Sequence, residues 1–223
     1  MIVGGPRDGD SGRPRRAHVR ATRTILEIDD KMSAGTPTIQ FGPTDTQGVH
    51  LPHNDALVIS GTIANYDVQR IFVDSDSSVD ILFHKVYQQM ELGDVALEPV
   101  DTSLYGFAGE VVHLLGHISL PISLGSEPAR KTRMVRFLVV DMPSAYNLIL
   151  GQPTLTVFQT VISTYYMKLK FSVGDKIGEV QGDQYTAKKC YVEAIKSSTS
   201  RMEVDRPVKE AIKIYPRKKD NKV

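Results

Sequence analysis

Between residues 55 and 182 the chain alternates short apolar runs with polar turns. The runs are brief and rich in β-branched and aromatic residues, which favours strands over helices. Leu57-Val58-Ile59, Ile71-Phe72-Val73, Val111-Val112, Ile118 to Leu124, Phe137 to Val140 and Met167 to Phe171 each read as a strand. Asn65-Tyr66-Asp67, Gly106 to Gly109, Gly125 to Pro128 and Gly174-Asp175 read as the turns between them. Strands at this spacing predict a mainly β domain, either a barrel or a sandwich. One stretch departs from the pattern. Val79, Leu82, Phe83, Val86, Tyr87 and Met90 follow the helical period. A helix is therefore predicted from a capping-box-like start at Ser77 and Asp80 to a stop at Gly93. A second short helix is predicted to begin at Pro153, a residue suited to a first helical turn.

The flanks differ from this middle part. Gly, Pro, Arg and Ser dominate Gly9 to Arg16, a composition that buries too little to offset the entropy of ordering. Arg20 to Lys31 offers a small apolar patch (Ile25, Leu26, Ile28) for a short helix, and Pro37, Pro43 and Pro52 favour an extended linker from Gly35 to His53. After residue 183 the periodicity fades. Cys190 to Ile195 fits one last strand or helix, and the basic tail from Pro216 is expected to be disordered. The expected partition is a disordered or linker region over 1–50, a folded domain over 51–182, and a largely disordered tail over 183–223.

Composition narrows the classes. With 41% apolar and 24% charged residues, the 223-residue chain has the make-up of a globular protein, and its net charge of +1 provides no field toward nucleic acid or membrane. The lone Cys190 excludes an internal disulfide framework and a multi-cysteine zinc site. No signal-peptide-like apolar run and no span of ~20 apolar residues is present. An intracellular, soluble protein is expected. The arginines at 13, 15, 16, 20 and 23 and the basic residues at 217–219 read as solvated tails, so nucleic acid is not expected as a partner. His113 and His117 lie four apart, but alternation along a strand would set them ~13 Å apart on one face, too far for one ion. No metal and no cofactor are expected.

The candidate chemistry is concentrated at the end of one strand. Arg70-Ile71-Phe72-Val73 runs directly into Asp74-Ser75-Asp76-Ser77-Ser78, the arrangement by which a strand delivers a carboxylate to the mouth of a cleft. With Leu148-Ile149-Leu150-Gly151 further on, this stretch resembles the signature of the retropepsins, the aspartic proteases of retroviruses and long-terminal-repeat retrotransposons. That family reads Asp-Thr/Ser-Gly-Ala/Ser at these positions, so Asp76 stands where it has glycine. The resemblance covers residues 55 to about 172. Leu51 to Val58, Tyr105 to Val112 and Val139 to Asn147 are most similar to gypsy-type plant retrotransposon polyproteins. Neither a Cys-x-x-Cys knuckle nor a polymerase motif accompanies them, so the chain is expected to be an excised piece or a derived gene.

The resemblance implies a closed, mainly antiparallel β-barrel with one or two short helices. It implies that Asp74 is the catalytic carboxylate, that Ser75 supports it, and that Ile149-Leu150-Gly151 threads behind the turn. It further implies a flap from Tyr105 to Val112, with Gly106, Phe107, Ala108 and Gly109 facing a peptide, and a substrate-facing position for Asp76. Only one such turn is present, so catalysis would require a homodimer acting on a peptide or polyprotein substrate. An aspartate at position 76 adds like charge beside a dyad that must share one proton, and activity is expected to be impaired by it. The alternative is a catalytically dead retropepsin-like module for dimerisation or peptide binding.

Overall fold

The computed structural model describes residues 2–3, 37–92, 97–100, 104–105 and 111–204. The helix expected within Arg20–Lys31, the stop at Gly93 and the tail from Pro216 lie outside them. In chain order the strands are β1 (Ile2–Val3), β2 (Val58–Ile63), β3 (Tyr66–Val73), β4 (Asp80–Phe83), β5 (Leu104–Tyr105), β6 (Val111–Val112), β7 (Leu114–Leu124), β8 (Lys131–Val140), β9 (Leu148–Leu150), β10 (Val161–Ser163), β11 (Lys168–Val173) and β12 (Lys176–Gln181). The helices are α1 (His84–Gln89), α2 (Gln152–Phe158) and α3 (Gln184–Val204), and a 3₁₀ turn covers Pro43–Thr46. Among the described residues no helix is long and apolar enough to cross a membrane.

Six strands close on themselves in the order β3-β2-β7-β8-β4-β9, with β9 returning to pair with β3. The fold is thus mainly β and a closed barrel, as expected. Most neighbours are antiparallel, but β3–β9 and β4–β8 are parallel. Closure depends on a bulge. The β2–β3 register slips between Ile59 and Gly61, and Arg70 takes a left-handed φ of 58° there. The extra residue bends β3, so that Ile71, Phe72 and Val73 align with Leu148, Ile149 and Leu150. Side chains alternate into one apolar core. Tyr66, Val68, Ile71 and Val73 come from β3, Ile118, Leu120, Ile122 and Leu124 from β7, and Val135, Phe137 and Val139 from β8. Each such buried side chain contributes about 1.5–3 kcal/mol.

The stretch with helical period divides differently from the sequence expectation. Asp80–Phe83 is strand, paired parallel with β8 and antiparallel with β9, and the helix begins only at His84 with Phe83 as its N-cap. Ser77 Oγ donates to the Val79 carbonyl, not to a helix amide. Two neighbouring strands with unfilled ladders outweigh a local pattern that fits either geometry. Helix α2 starts as expected, with proline in its first turn.

A second sheet, β10-β11-β12, covers the barrel. Leu169 and Phe171 from it join the same apolar core, and Phe158 meets Phe171 edge-on at 5.9 Å. The segment expected to be a linker docks against this sheet. Its 3₁₀ turn inserts the buried Asp45 between Lys168 Nζ and Lys170 Nζ, each at 2.9 Å, while Phe41 stacks on Tyr166. The segment after residue 183, where periodicity fades, forms α3. Its Ala187 and Cys190 are buried, and Glu193 pairs with Arg70 at 2.7 Å.

Candidate functional site

The apolar strand β3 ends at Val73, and Asp74 follows half-buried at its mouth, with Ser75, Asp76 and Ser78 exposed beside it. Two backbone contacts fix the turn. The Val73 amide donates to the Leu57 carbonyl and the Asp74 amide to the Leu150 carbonyl, both at 2.9 Å. Asp74 Oδ1 accepts the Asp76 amide at 3.0 Å, an Asx-type turn that orients the carboxylate. From the other side Gln152 Nε2 donates to the Ser75 carbonyl at 3.0 Å, and the Gln152 amide donates to the Ser77 carbonyl at 2.8 Å.

Gly151 lies directly behind this turn. A Cβ there would fall 2.6 Å from the Ser77 carbonyl oxygen and also against that of Val79. Only glycine fits, because both obstacles are backbone. The Gly151 amide donates to Asp80 Oδ1 at 2.7 Å. Burial pushes the Asp80 carboxyl up to about 6, with the Gly151 amide and the Thr154 hydroxyl and amide offsetting part of the effect. Asp80, Gln152 and Thr154 were not singled out from the sequence as functional. The available signal for Asp80 was an acid inside the apolar run Val79-Asp80-Ile81-Leu82-Phe83.

Asp76 is accommodated without backbone strain. Residue 76 is not among those with a left-handed φ, so this turn does not require glycine for conformational reasons. Its side chain projects from an exposed position, so any penalty arises from what approaches the turn. Strands β5 and β6, which flank the expected flap, pair antiparallel with Leu104 opposite Val112 and Tyr105 opposite Val111. Gly106, Phe107, Ala108 and Gly109 lie outside the described residues.

The two histidines are not on one strand face. His113 precedes β7 and is exposed, a bulge falls between Leu114 and Gly116, and His117 Nε2 lies 3.6 Å from the Glu98 carboxylate. Among the described residues no group of three or more His, Cys, Asp or Glu could hold a metal ion. A groove of about 400 Å³ is lined by Arg70, Lys85, Gln89, Tyr146 and Glu193, among others, and no residue of the 74–78 turn contributes to it. The turn and the groove are separate features.

No protein-family model matches the sequence, and no curated protein matches it. Among solved structures the chain is similar to the retroviral protease-like domain of Ddi1 from Leishmania major, at 21% identity over 57% of this chain and 96% of that one, with a TM-score of 0.43. It is also similar to the EIAV protease complexed with an inhibitor, at 17% identity over 52% of this chain and 99% of that one, TM-score 0.37. A retropepsin-like aspartic protease from Rickettsia conorii aligns at 14% identity over 55% of this chain and 80% of that one, TM-score 0.35.

Proposed function

We propose that the chain is an aspartic endopeptidase of retropepsin type that cleaves polypeptides as a homodimer, with its activity weakened by Asp76. The observation that carries this reading is the seating of Asp74. It leaves an apolar strand half-buried, with its amide held by Leu150 and its carboxylate oriented by the Asp76 amide. Gly151 is packed against the turn from behind. This is a rigid support for an acid that must meet a partner at a defined distance.

One copy supplies one Asp74. Two carboxylates ~3 Å apart cannot both ionise, so a pair would share a proton, one member activating water and the other polarising the scissile carbonyl. A second copy related by a two-fold axis would complete the pair, with Ser75 supporting it and the 106–109 segment closing over the peptide. The similarity of Leu51 to Val58, Tyr105 to Val112 and Val139 to Asn147 to gypsy-type polyproteins supports a retrotransposon origin, and the single cysteine fits an intracellular setting.

A second reading is favoured by the exposed Asp76. In a dimer it adds two carboxylates next to the pair, which would leave a non-catalytic module for dimerisation or peptide binding. A peptide-cleavage assay at mildly acidic pH on wild type, Asp74→Ala and Asp76→Gly separates the two. Cleavage by wild type or Asp76→Gly that disappears in Asp74→Ala supports the peptidase. A strictly monomeric protein in solution, with no cleavage by either, refutes it.

A further inference from the structure

The outer face of β11 holds one carboxylate between two cations. Leu169 and Phe171 join the apolar core, so the alternate residues Lys168 and Lys170 point the other way. Both lysines are no more than 9% exposed. Lys168 Nζ lies 2.9 Å from Asp45 Oδ1, and Lys170 Nζ lies 2.8 Å from Oδ1 and 2.9 Å from Oδ2. Glu179 of β12 reaches the pair from solvent, 3.2 Å from Lys168 and 3.9 Å from Lys170. Without Asp45, two buried cations would share that one exposed acid, a costly arrangement that calls for an anion. The surroundings of the pair read a turn, not a lone acid. Lys170 Nζ also donates to the Gln40 carbonyl at 2.9 Å and sits 4.8 Å from the centre of the Phe41 ring, which stacks on Tyr166. The Gly42 amide donates to Asp45 Oδ2 at 2.9 Å and closes the turn. Buried Gln184 then grips the His50 amide and carbonyl with the two ends of its side chain.

Residues 37–50 meet this site as a ligand meets a receptor. Asp45 is the one buried residue among them, and Ile39, Phe41 and Val49 are half-buried. None of the segment belongs to the apolar core. Its backbone bonds close onto itself, from Asp45 to Gly42, Gln47 to Thr44 and Val49 to Thr46. Among the described residues, every hydrogen bond that ties it to the rest of the chain runs through the side chain of Lys168, Lys170 or Gln184, or through Asp45 itself. A segment held by a few polar contacts and no core burial opens at lower free energy than the barrel beneath it.

We propose that the outer face of β11 is a docking site for an acidic turn, filled in cis by Phe41-Gly42-Pro43-Thr44-Asp45 and open, when that segment lifts, to the same turn of a second copy of this chain. The second copy offers the carboxylate, the ring and the carbonyl at the spacing the site already holds. Its Asp45 would neutralise the lysine pair of the first. Neither the Asp74 turn nor a peptidase activity enters this recognition. In cis the segment competes at high effective concentration, so an incoming turn binds only the fraction of copies in which the segment has lifted.

The test uses the full chain and a fluorescent peptide of residues 37–50, followed by anisotropy. In Asp45→Lys a third ammonium group faces Lys168 and Lys170, which drives the segment off and empties the site. The peptide is expected to bind this variant at least about tenfold more tightly than wild type, whose own segment competes. A peptide carrying Asp45→Asn is expected to bind the same variant about tenfold more weakly than the native peptide. Equal binding to variant and wild type, equal binding of the two peptides, or no binding at all overturns the proposal. Wild type alone decides if the variant does not fold. Its Asp45 and Val49 amides, corrected for intrinsic rates, are expected to exchange with solvent at least about tenfold faster than those of Val73 and Asp74. Equal protection overturns the proposal, because the segment would then open only with the barrel.

Discussion

The amide of Asp74 donates to the carbonyl of Leu150 at 2.9 Å, so the acid at the end of β3 is placed by the parallel strand beside it as well as by its own turn. The next residue of that strand's exit, Gly151, is where this arrangement is least tolerant. In Gly151→Ala the new methyl would press on two backbone carbonyls of the 74–79 turn. Relief requires the backbone to move, at a cost of about 1–3 kcal/mol. Urea denaturation should show the lower midpoint, and an unchanged midpoint would mean the turn is looser than described.

Asp76→Gly should behave in the opposite way. Position 76 has no left-handed backbone to relieve and an exposed side chain, so stability should fall by no more than about 1 kcal/mol, the entropic cost of glycine. Cleavage, by contrast, should rise by about tenfold or more, a change of about 1.4 kcal/mol in the barrier. The measurement is kcat/KM on a peptide substrate together with the thermal midpoint. A large loss of stability without a gain in rate would show that the aspartate is structural.

The Asp45 cluster predicts acid sensitivity. Hydrogen bonds from Lys170 and Lys168 hold the Asp45 carboxyl well below its ordinary value of 3.8, against the opposing effect of burial. A depressed folded-state value means the stabilisation is present above the ordinary value and is lost as pH falls through the folded one. Thermal midpoints of wild type should therefore drop below about pH 4, and Asp45→Asn should show a smaller drop. At neutral pH Asp45→Asn should cost about 2 kcal/mol. The half-exposed Glu179 still reaches Lys168 at 3.2 Å, so the full cost of breaking a deep ion pair is not expected.

Gln184 ties the start of α3 to the segment before the barrel. Its Oε1 accepts the His50 amide at 2.8 Å, and its Nε2 donates to the His50 carbonyl and to Asp55 Oδ2. Removing three half-buried hydrogen bonds in Gln184→Ala should cost about 2 kcal/mol. Calorimetry of that variant would show it, and an unaltered transition would mean that the Gln184 bonds contribute nothing to stability.

The barrel strands were legible because a sheet with one buried face writes itself as alternation, and β3, β7 and β8 follow that rule over most of their length. The acid turn was legible because an apolar strand that stops at Asp74-Ser75 is a local event. Strand β4 was not. Val79 to Met90 satisfies a helical period, and only β8 and β9 on either side convert its first part to strand. Asp45 was equally hidden, since its partners Lys168 and Lys170 lie 123 and 125 residues away.

What the amino-acid order determined by itself was the β class of the middle region, the start of α2 and the carboxylate at the end of β3, all set by near neighbours. The tertiary structure decided closure through the Arg70 bulge, the strand identity of Asp80–Phe83, the docking of Asp45, and the burial of Asp80 beneath the turn. Those features depend on which distant segments meet. Burial, pairing and desolvation are properties of the assembled core, and a window of local sequence does not contain them.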